Sequence, residues 1–348
     1  MYNRFKKIII FSLVFLGGIV MTCSAQEKRF SIVEKKEEKK IDINIDGKLF
    51  TAYIYPESLM KPVLYPIVTS NGSFITRGWP LAPRAGERVD HPHHVGLWFN
   101  YGNVNGLDFW NNSTSIPPQK KSQYGVIQHA KVNSIKTEND RAILDVTSFW
   151  VNSDGIKLLK EDTQYIFTAT NNNRAIQINV KLTALKEEVS FKDNKEGLLG
   201  LRLARELEHP SDQPEKFTDV NGIATDVAEM NNNGVTGLYR SSEGLEGDNV
   251  WGTRGEWVNL TGKIGNEPIS VVILDHSKNV GFPTYWHARG YGLFAANPLG
   301  QKEFSEGKEE LNFKLKAGKS IAFKYKVLIQ SGEVMTDDQV NAEFTTFQ

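Results

Sequence analysis

Cysteine is almost absent, with Cys23 the only one in 348 residues. A disulfide-stapled fold and a thiolate zinc site each need several cysteines, so the sequence supports neither. Long hydrophobic runs are scarce too. The one at Ile8 to Met21 has about 14 residues, short of the roughly 20 a membrane-spanning helix requires. An excess of one charge is missing, with 41 basic residues against 41 acidic. That balance offers no surplus of cations for a phosphate backbone, so no nucleic acid partner is expected. There is no G-x-S-x-G elbow, no phosphate-binding glycine loop and no C-x-x-C pair.

What is present is ample core-forming material, 40% hydrophobic and 11% aromatic. Arg4, Lys6 and Lys7, the apolar run and Thr22-Cys23-Ser24-Ala25 compose the three regions of a secretory signal over residues 1–25. Cleavage after Ala25 is expected to leave a periplasmic or extracellular chain with 38 basic and 41 acidic residues, no cysteine and no transmembrane span. Cys23 stands where a lipoprotein signal carries its lipidated residue, so a lipid anchor is the alternative. Residues 26–40 read as a charged tether, with the mixed charge run Glu34 to Lys40 a solvated tether or an exposed strand end.

From Ile41 onward the hydrophobic period is two. Ile41, Ile43 and Ile45 alternate with Asp42, Asn44 and Asp46, Asp46-Gly47 marks a tight turn, and Leu49 to Tyr55 returns as a strand. The same grammar recurs at Ala142 to Val151, Ile156 to Thr168 and Ala175 to Leu185, and again at Trp257 to Thr261 and Ile269 to Leu274. A last unit pairs Leu311 to Leu315 with Ile321 to Ile329 across Ala317-Gly318-Lys319. Glu196 to Glu208 carries two glycines and the alternation Leu199, Leu201, Leu203, which suits a strand better than a helix. The expected fold is all-β, one large two-sheet antiparallel β-sandwich over 41–335 with a C-terminal tail at 336–348.

Chemistry concentrates in Asp90 to Trp110. Three of the seven histidines, His91, His93 and His94, fall within four positions, close to Trp98, Asp108 and Trp110. Imidazoles exchange protons near neutral pH and indole faces stack on sugar C–H surfaces, so this crowding suits a polar pocket for a carbohydrate. A second cluster, Thr284 to Gly292 with Asn297 beyond it, supplies Trp286, His287 and Arg289: a stacking face, a proton carrier and a cation that could fork onto a carboxylate or sugar hydroxyls. A third group holds Arg202, Arg205, Glu206, Glu208 and His209. His91, His94 and His287 are the expected proton carriers, with Asp108 or Glu206 as the carboxyl partner. Trp98, Trp110, Arg202, Trp286, Arg289 and Asn297 are the expected substrate contacts. No cofactor is expected; a divalent metal on His91 and His94 is the alternative chemistry these residue types allow.

The runs DHPHHVGLWFNYGNVNGLDFW (Asp90 to Trp110) and GFPTYWHARGYGLFAANPLG (Gly281 to Gly300) resemble the secreted PmoA-like family of uncharacterised proteins, common in polysaccharide-degrading bacteria. His91 and His94 match that family's pattern, whereas His93 stands where an aromatic residue is expected. The label derives from a membrane-embedded methane monooxygenase subunit, and the lone apolar run here excludes such an architecture. The closing strands are also similar to those of galactose-mutarotase-like supersandwiches, in which two histidines and a carboxylate act on a pyranose. The resemblances imply an exported carbohydrate-active protein using histidine acid–base chemistry, with cleavage or lyase chemistry favoured over epimerisation. A non-catalytic glycan-binding protein and a metal-dependent oxidase are the rival readings.

Overall fold

Alternation of apolar and polar side chains along extended segments buries one face of a sheet, and two such faces must meet. In a computed structural model of the protein, which describes residues 29–227 and 231–348, they do so as two large antiparallel sheets. The segment read as a secretory signal, Cys23 included, lies outside the described residues.

The first sheet has nine strands, in the order β1 (Phe30–Lys35), β2 (Lys40–Ile45), β3 (Lys48–Ile54), β4 (Val63–Ile67), β5 (Leu97–Tyr101), β11 (Gly197–Arg202), β19 (Leu293–Asn297), β18 (Thr284–Arg289) and β15 (Arg254–Gly255). The second has eight: β14 (Leu238–Ser241), β16 (Trp257–Ile264), β17 (Glu267–Asp275), β21 (Ser320–Ser331), β9 (Asn173–Ala184), β8 (Lys157–Ala169), β7 (Arg141–Val151) and β6 (Val126–Thr137). Two small pairs complete the strands, β10 (Val189–Phe191) with β20 (Phe313–Leu315), and β12 (Glu215–Thr218) with β13 (Ala224–Val227). The two inner faces share one core, in which Phe99, Leu199, Leu201, Trp286 and Phe294 meet Leu144, Trp150, Ile178, Val271 and Val327.

The expected β2–β3 hairpin closes through Asp46 and Gly47 at φ +51° and +73°, the left-handed pair that a type I′ turn requires. Three expectations are corrected. The charged stretch read as a tether forms β1, which pairs with β2 along its whole length and buries Phe30. The segment before Ala317 does not pair with β21, because β20 leaves to pair with β10 while β21 runs between β9 and β17. The C-terminal tail is a helix, α2 (Asp337–Phe347), longer than the single turn α1 (Gln301–Phe304) and begun by a reciprocal capping box between Thr336 and Gln339. Its Val340 and Phe347 cover Trp257, Val272, Leu274 and Leu328 on the outer face of the second sheet.

The outer face of the first sheet carries the side chains that matter for function. Register aligns Trp98 of β5 with Gly200 of β11, Ala295 of β19 and His287 of β18 in one row, and Arg202, Leu293 and Arg289 in the next. Gly200 leaves space that the indoles of Trp98 and Trp110 fill: a Cβ there would lie 2.5 Å from Trp98 and 2.9 Å from Trp110. Gly200→Ala is therefore expected to destabilise the protein by about 1–3 kcal/mol through overpacking. Denaturant unfolding followed by tryptophan fluorescence checks this, and an unchanged midpoint would contradict the packing described.

Candidate functional site

The loop between β4 and β5 is organised by one guanidinium. Arg77, buried, donates to the carbonyls of Arg88, Asp90, His91 and His94 at 2.9–3.1 Å and pairs with the Asp90 carboxylate. Asp90 also accepts from Arg202 Nη2 at 2.6 Å and from His91 Nδ1 at 2.9 Å. Burial pushes the Asp90 carboxyl up, but Arg202, the His91 hydrogen bond and Arg77 outweigh it and hold the group well below the usual carboxylate range. A carboxylate on Nδ1 fixes the orientation of the His91 ring and leaves Nε2 as its free edge. His91 itself sits at φ +44°, a left-handed conformation that a side-chain-bearing residue holds only when its surroundings enforce it.

The His91 ring lies parallel to His94, with centroids 4.8 Å apart, and to Tyr291, 5.0 Å away, and its side chain is 40% exposed. Below it, His94 stacks on Trp98 at 5.3 Å and meets Trp110 edge-on at 5.7 Å. His94 Nδ1 lies 3.4 Å from Arg202 Nη1, and burial keeps this imidazole neutral by lowering its pKa well below the usual value. Two parallel rings cannot place one ion in both ring planes, so the stacked pair His91 and His94 does not fit a shared metal. Among the described residues no group of three or more His, Cys, Asp or Glu is arranged to hold a metal ion.

Glu196 comes from the loop leading into β11. Asn297 Nδ2 donates to the carbonyls of Asn194 and Lys195 at 2.9 Å each, and Asn194 Oδ1 accepts from the Glu196 amide, so the loop is pinned. The Glu196 carboxyl lies 3.8 Å from His287 Nδ1 and 3.6 Å from Lys195 Nζ. Burial raises the Glu196 pKa, and Asp108 adds to the rise while Lys195 opposes it. Burial, then Arg289 and Lys195, push the His287 imidazole down to about 3. His91 lies close enough to both groups to act on them electrostatically. Lys61, beside the same floor, donates to the His93 carbonyl at 2.7 Å and lies 5.1 Å from the Trp98 ring; burial lowers it to about 7 against the pull of Asp108.

Most of the expected residues come together on this face, but several roles change. Trp98 and Trp110 are buried, at 2% and 0% exposure, and form the floor of the site rather than open stacking surfaces. Arg202 is fully buried and anchors Asp90, so it does not meet a substrate directly. Asn297 holds the Glu196 loop. Asp108 binds its own loop, accepting from the amides of Trp110 and Asn111 and from Asn111 Nδ2. Trp286 points the opposite way into the sandwich core, where Nε1 donates to the Gly255 carbonyl. Glu206 is also displaced: it lines a separate cavity of about 360 Å³ with Arg84, Arg205 and Phe217. A cavity of about 350 Å³ opens beside Lys61 and His93, bounded by Trp79, Leu81 and Asn112; Glu196, His91 and His287 line neither.

Sequence reasoning missed Glu196, Tyr291 and Lys61 as members of the site. Glu196 lies one residue before β11, where the strand's periodicity does not reach, so the sequence pattern carries no signal for it. Five buried nitrogens around the site, His93 Nε2, His94 Nε2, Trp98 Nε1, Trp110 Nε1 and His287 Nδ1, have no hydrogen-bond partner among the described residues. Buried polar atoms are almost always partnered, so solvent or a bound molecule is needed to serve them.

A family of unknown function, DUF6807, matches residues 40–345. The chain belongs to this family. Its description names no activity and does not carry the PmoA-like label that the motifs resemble. No curated protein matches the DUF6807 chain. Among solved structures it is similar to the galactosidase domain of the α-galactosidase–sucrose kinase AgaSK, at 7% identity and TM-score 0.39 over 86% of this chain and 41% of that one. It is similar too to the GH36 α-galactosidase AgaB from Geobacillus stearothermophilus, at 9% identity and TM-score 0.39 over 87% and 41%. Galactose 1-epimerase from Lactobacillus acidophilus NCFM aligns at 10% identity and TM-score 0.34 over 87% and 98%. The chain spans about two fifths of the length of the galactosidase chains it matches.

Asp90→Asn is expected to cost about 3–5 kcal/mol, because it leaves Arg77 and Arg202 buried without their shared counter-charge. The sign with pH follows from the depressed carboxyl. Its contribution is complete above the unfolded value of about 4 and is lost as pH falls toward the folded one. Urea unfolding of both proteins between about pH 7 and pH 2 should show their stability difference shrinking toward the acid end; a constant difference would exclude the clamp as its origin.

Proposed function

We propose that this protein acts on a carbohydrate by acid–base chemistry at the site of Glu196, His287 and His91. The observation that carries the reading is the Glu196–His287 pair. A partly buried carboxyl with a raised pKa lies 3.8 Å from an imidazole that burial keeps neutral, next to a solvent-exposed histidine whose ring a carboxylate orients. A carboxyl whose pKa burial raises is the acid of the pair, and His91, its Nδ1 held by Asp90, is the base beside it. Breaking a glycosidic bond, by hydrolysis or elimination, needs a proton delivered to the leaving oxygen and a base on the other partner, and this is the reaction class proposed.

His94 and Tyr291 support the catalytic pair by holding the His91 ring between parallel neighbours. Lys61 near pH 7 is a further proton carrier at the floor. The burial of all three tryptophans expected as platforms disfavours the reading of a simple aromatic glycan-binding surface.

Turnover of glycans by the purified protein, followed by product mass, tests the proposal. Glu196→Gln and His91→Ala should each lower turnover about 10²- to 10⁴-fold while glycan affinity stays within about tenfold. Activity should fall as pH rises through the elevated pKa of Glu196, since the acid form is then lost. Equal loss of binding and turnover in both variants would favour a binding protein and overturn the assignment.

A further inference from the structure

Resting on the carbohydrate reading above, we infer that the site takes a sugar bearing a carboxylate, a uronate unit, and that Arg289 is the group that recognises it. The described residues contain eleven arginines. Ten of them donate to a carboxylate or a backbone carbonyl: Arg29, Arg77, Arg84, Arg88, Arg141, Arg174, Arg202, Arg205, Arg240 and Arg254. Arg289 alone has no such partner among the described residues. Its guanidinium carbon lies 4.3 Å from the centre of the Trp251 ring.

Position makes this lone cation meaningful. Arg289 lies two residues beyond His287 on β18, so both project from the outer face of the first sheet. It is close enough to depress His287 and to act on Tyr291, the ring stacked beside His91. It is half-buried, which removes part of its hydration, and the indole beneath it holds the fork in place.

The nearby carboxyls already have partners, and Asp248, beside Gly290, lies 3.3 Å from His209 Nδ1. Asp90 is shared by Arg77, Arg202 and His91. Asp108 accepts from its own loop amides and from Asn111. Glu196 has a raised pKa and pairs at 3.6 Å with Lys195. A half-buried guanidinium that meets no carboxylate among the described residues, beside Glu196 and His287, leaves an unpaired cation at the mouth of the site. A planar carboxylate is the anion whose two oxygens match the parallel N–H pair of a guanidinium, and a sugar carrying it would lie with its ring toward His91 and Glu196.

Calorimetric titration of the folded protein with a uronate oligosaccharide, its methyl ester and a sulfated oligosaccharide of equal length tests the inference. The acid should bind about ten- to a hundredfold more tightly than the ester, the range a charge-assisted hydrogen-bonded pair provides. Arg289→Ala should bring the acid-to-ester ratio to about one, and Arg289→Lys, which keeps the charge but not the fork, should restore only part of it. Far-ultraviolet circular dichroism confirms that each variant is folded. Equal affinity for acid and ester in the unaltered protein, or discrimination that survives in Arg289→Ala, would overturn the assignment of Arg289 while leaving the carbohydrate reading standing. Tighter binding of the sulfated sugar would overturn the choice of carboxylate. Binding of no sugar, charged or neutral, would overturn the carbohydrate reading and this inference with it.

Discussion

The site depends on a single buried carboxylate, that of Asp90, held between two buried guanidiniums. Placing Arg77 and Arg202 in the interior is costly unless each finds an anion and enough carbonyls, and Asp90 with the 88–94 loop supplies both. The same pairing dictates local geometry. Because Arg77 draws the carbonyls of His91 and His94 inward, the chain between them must turn back, and His91 takes a left-handed conformation. The third lone-pair direction of Asp90 then meets His91 Nδ1. Charge burial, backbone strain and the aim of a catalytic imidazole are thus consequences of one arrangement. Glu208 extends it, since its carboxyl joins Arg88 and Arg205 and lies 4.0 Å from Arg202.

The sheet beneath imposes a second constraint. A sandwich needs only one face of each sheet, and the outer face of the first sheet would ordinarily meet water. Here Gly200 and Ala295, the smallest side chains in the central row, let Trp98 and Trp110 lie down on the strands, and His94 stacks on them. The outcome is a small secondary core on the far side of the sheet. Its upper surface is lined by imidazoles whose burial strips them of charge. The second sheet solves the same problem with a helix, α2.

Much of the fold was legible in the sequence because a period of two is a local property. Hairpins closed by Asp46-Gly47 or Ser153-Asp154-Gly155 need nothing beyond their own turn chemistry. What escaped was set at long range. β20 reaches back to β10 across more than a hundred residues, and no periodicity encodes that choice. β1 carries too many charges to be read as a strand, yet an edge strand exposes one side and tolerates them. The site was half legible for a related reason. The motifs named the right strands, but Trp286 and His287 are adjacent, and adjacent residues on a strand cannot share a face. Assigning both to one pocket broke the rule that had found the strand. Glu206 failed for another reason, since it follows the end of β11 in a short 3-10 turn where strand parity no longer applies.

Protonation states follow from the same hierarchy of burial and pairing. Where the chain supplies a counter-charge, as at Asp90, the ionised form survives burial. Where it supplies none strong enough, the neutral form wins: Glu196 tends toward the acid, His94 and His287 toward the free imidazole, and Lys61 toward the amine. A cluster of this kind can pass protons without gathering net charge at its floor. Arginine cannot take that route, because its guanidinium keeps its proton at any working pH. An arginine at the mouth of such a cluster must therefore be neutralised from outside the clamp, and the neutral floor beneath Arg289 leaves that part to whatever occupies the site.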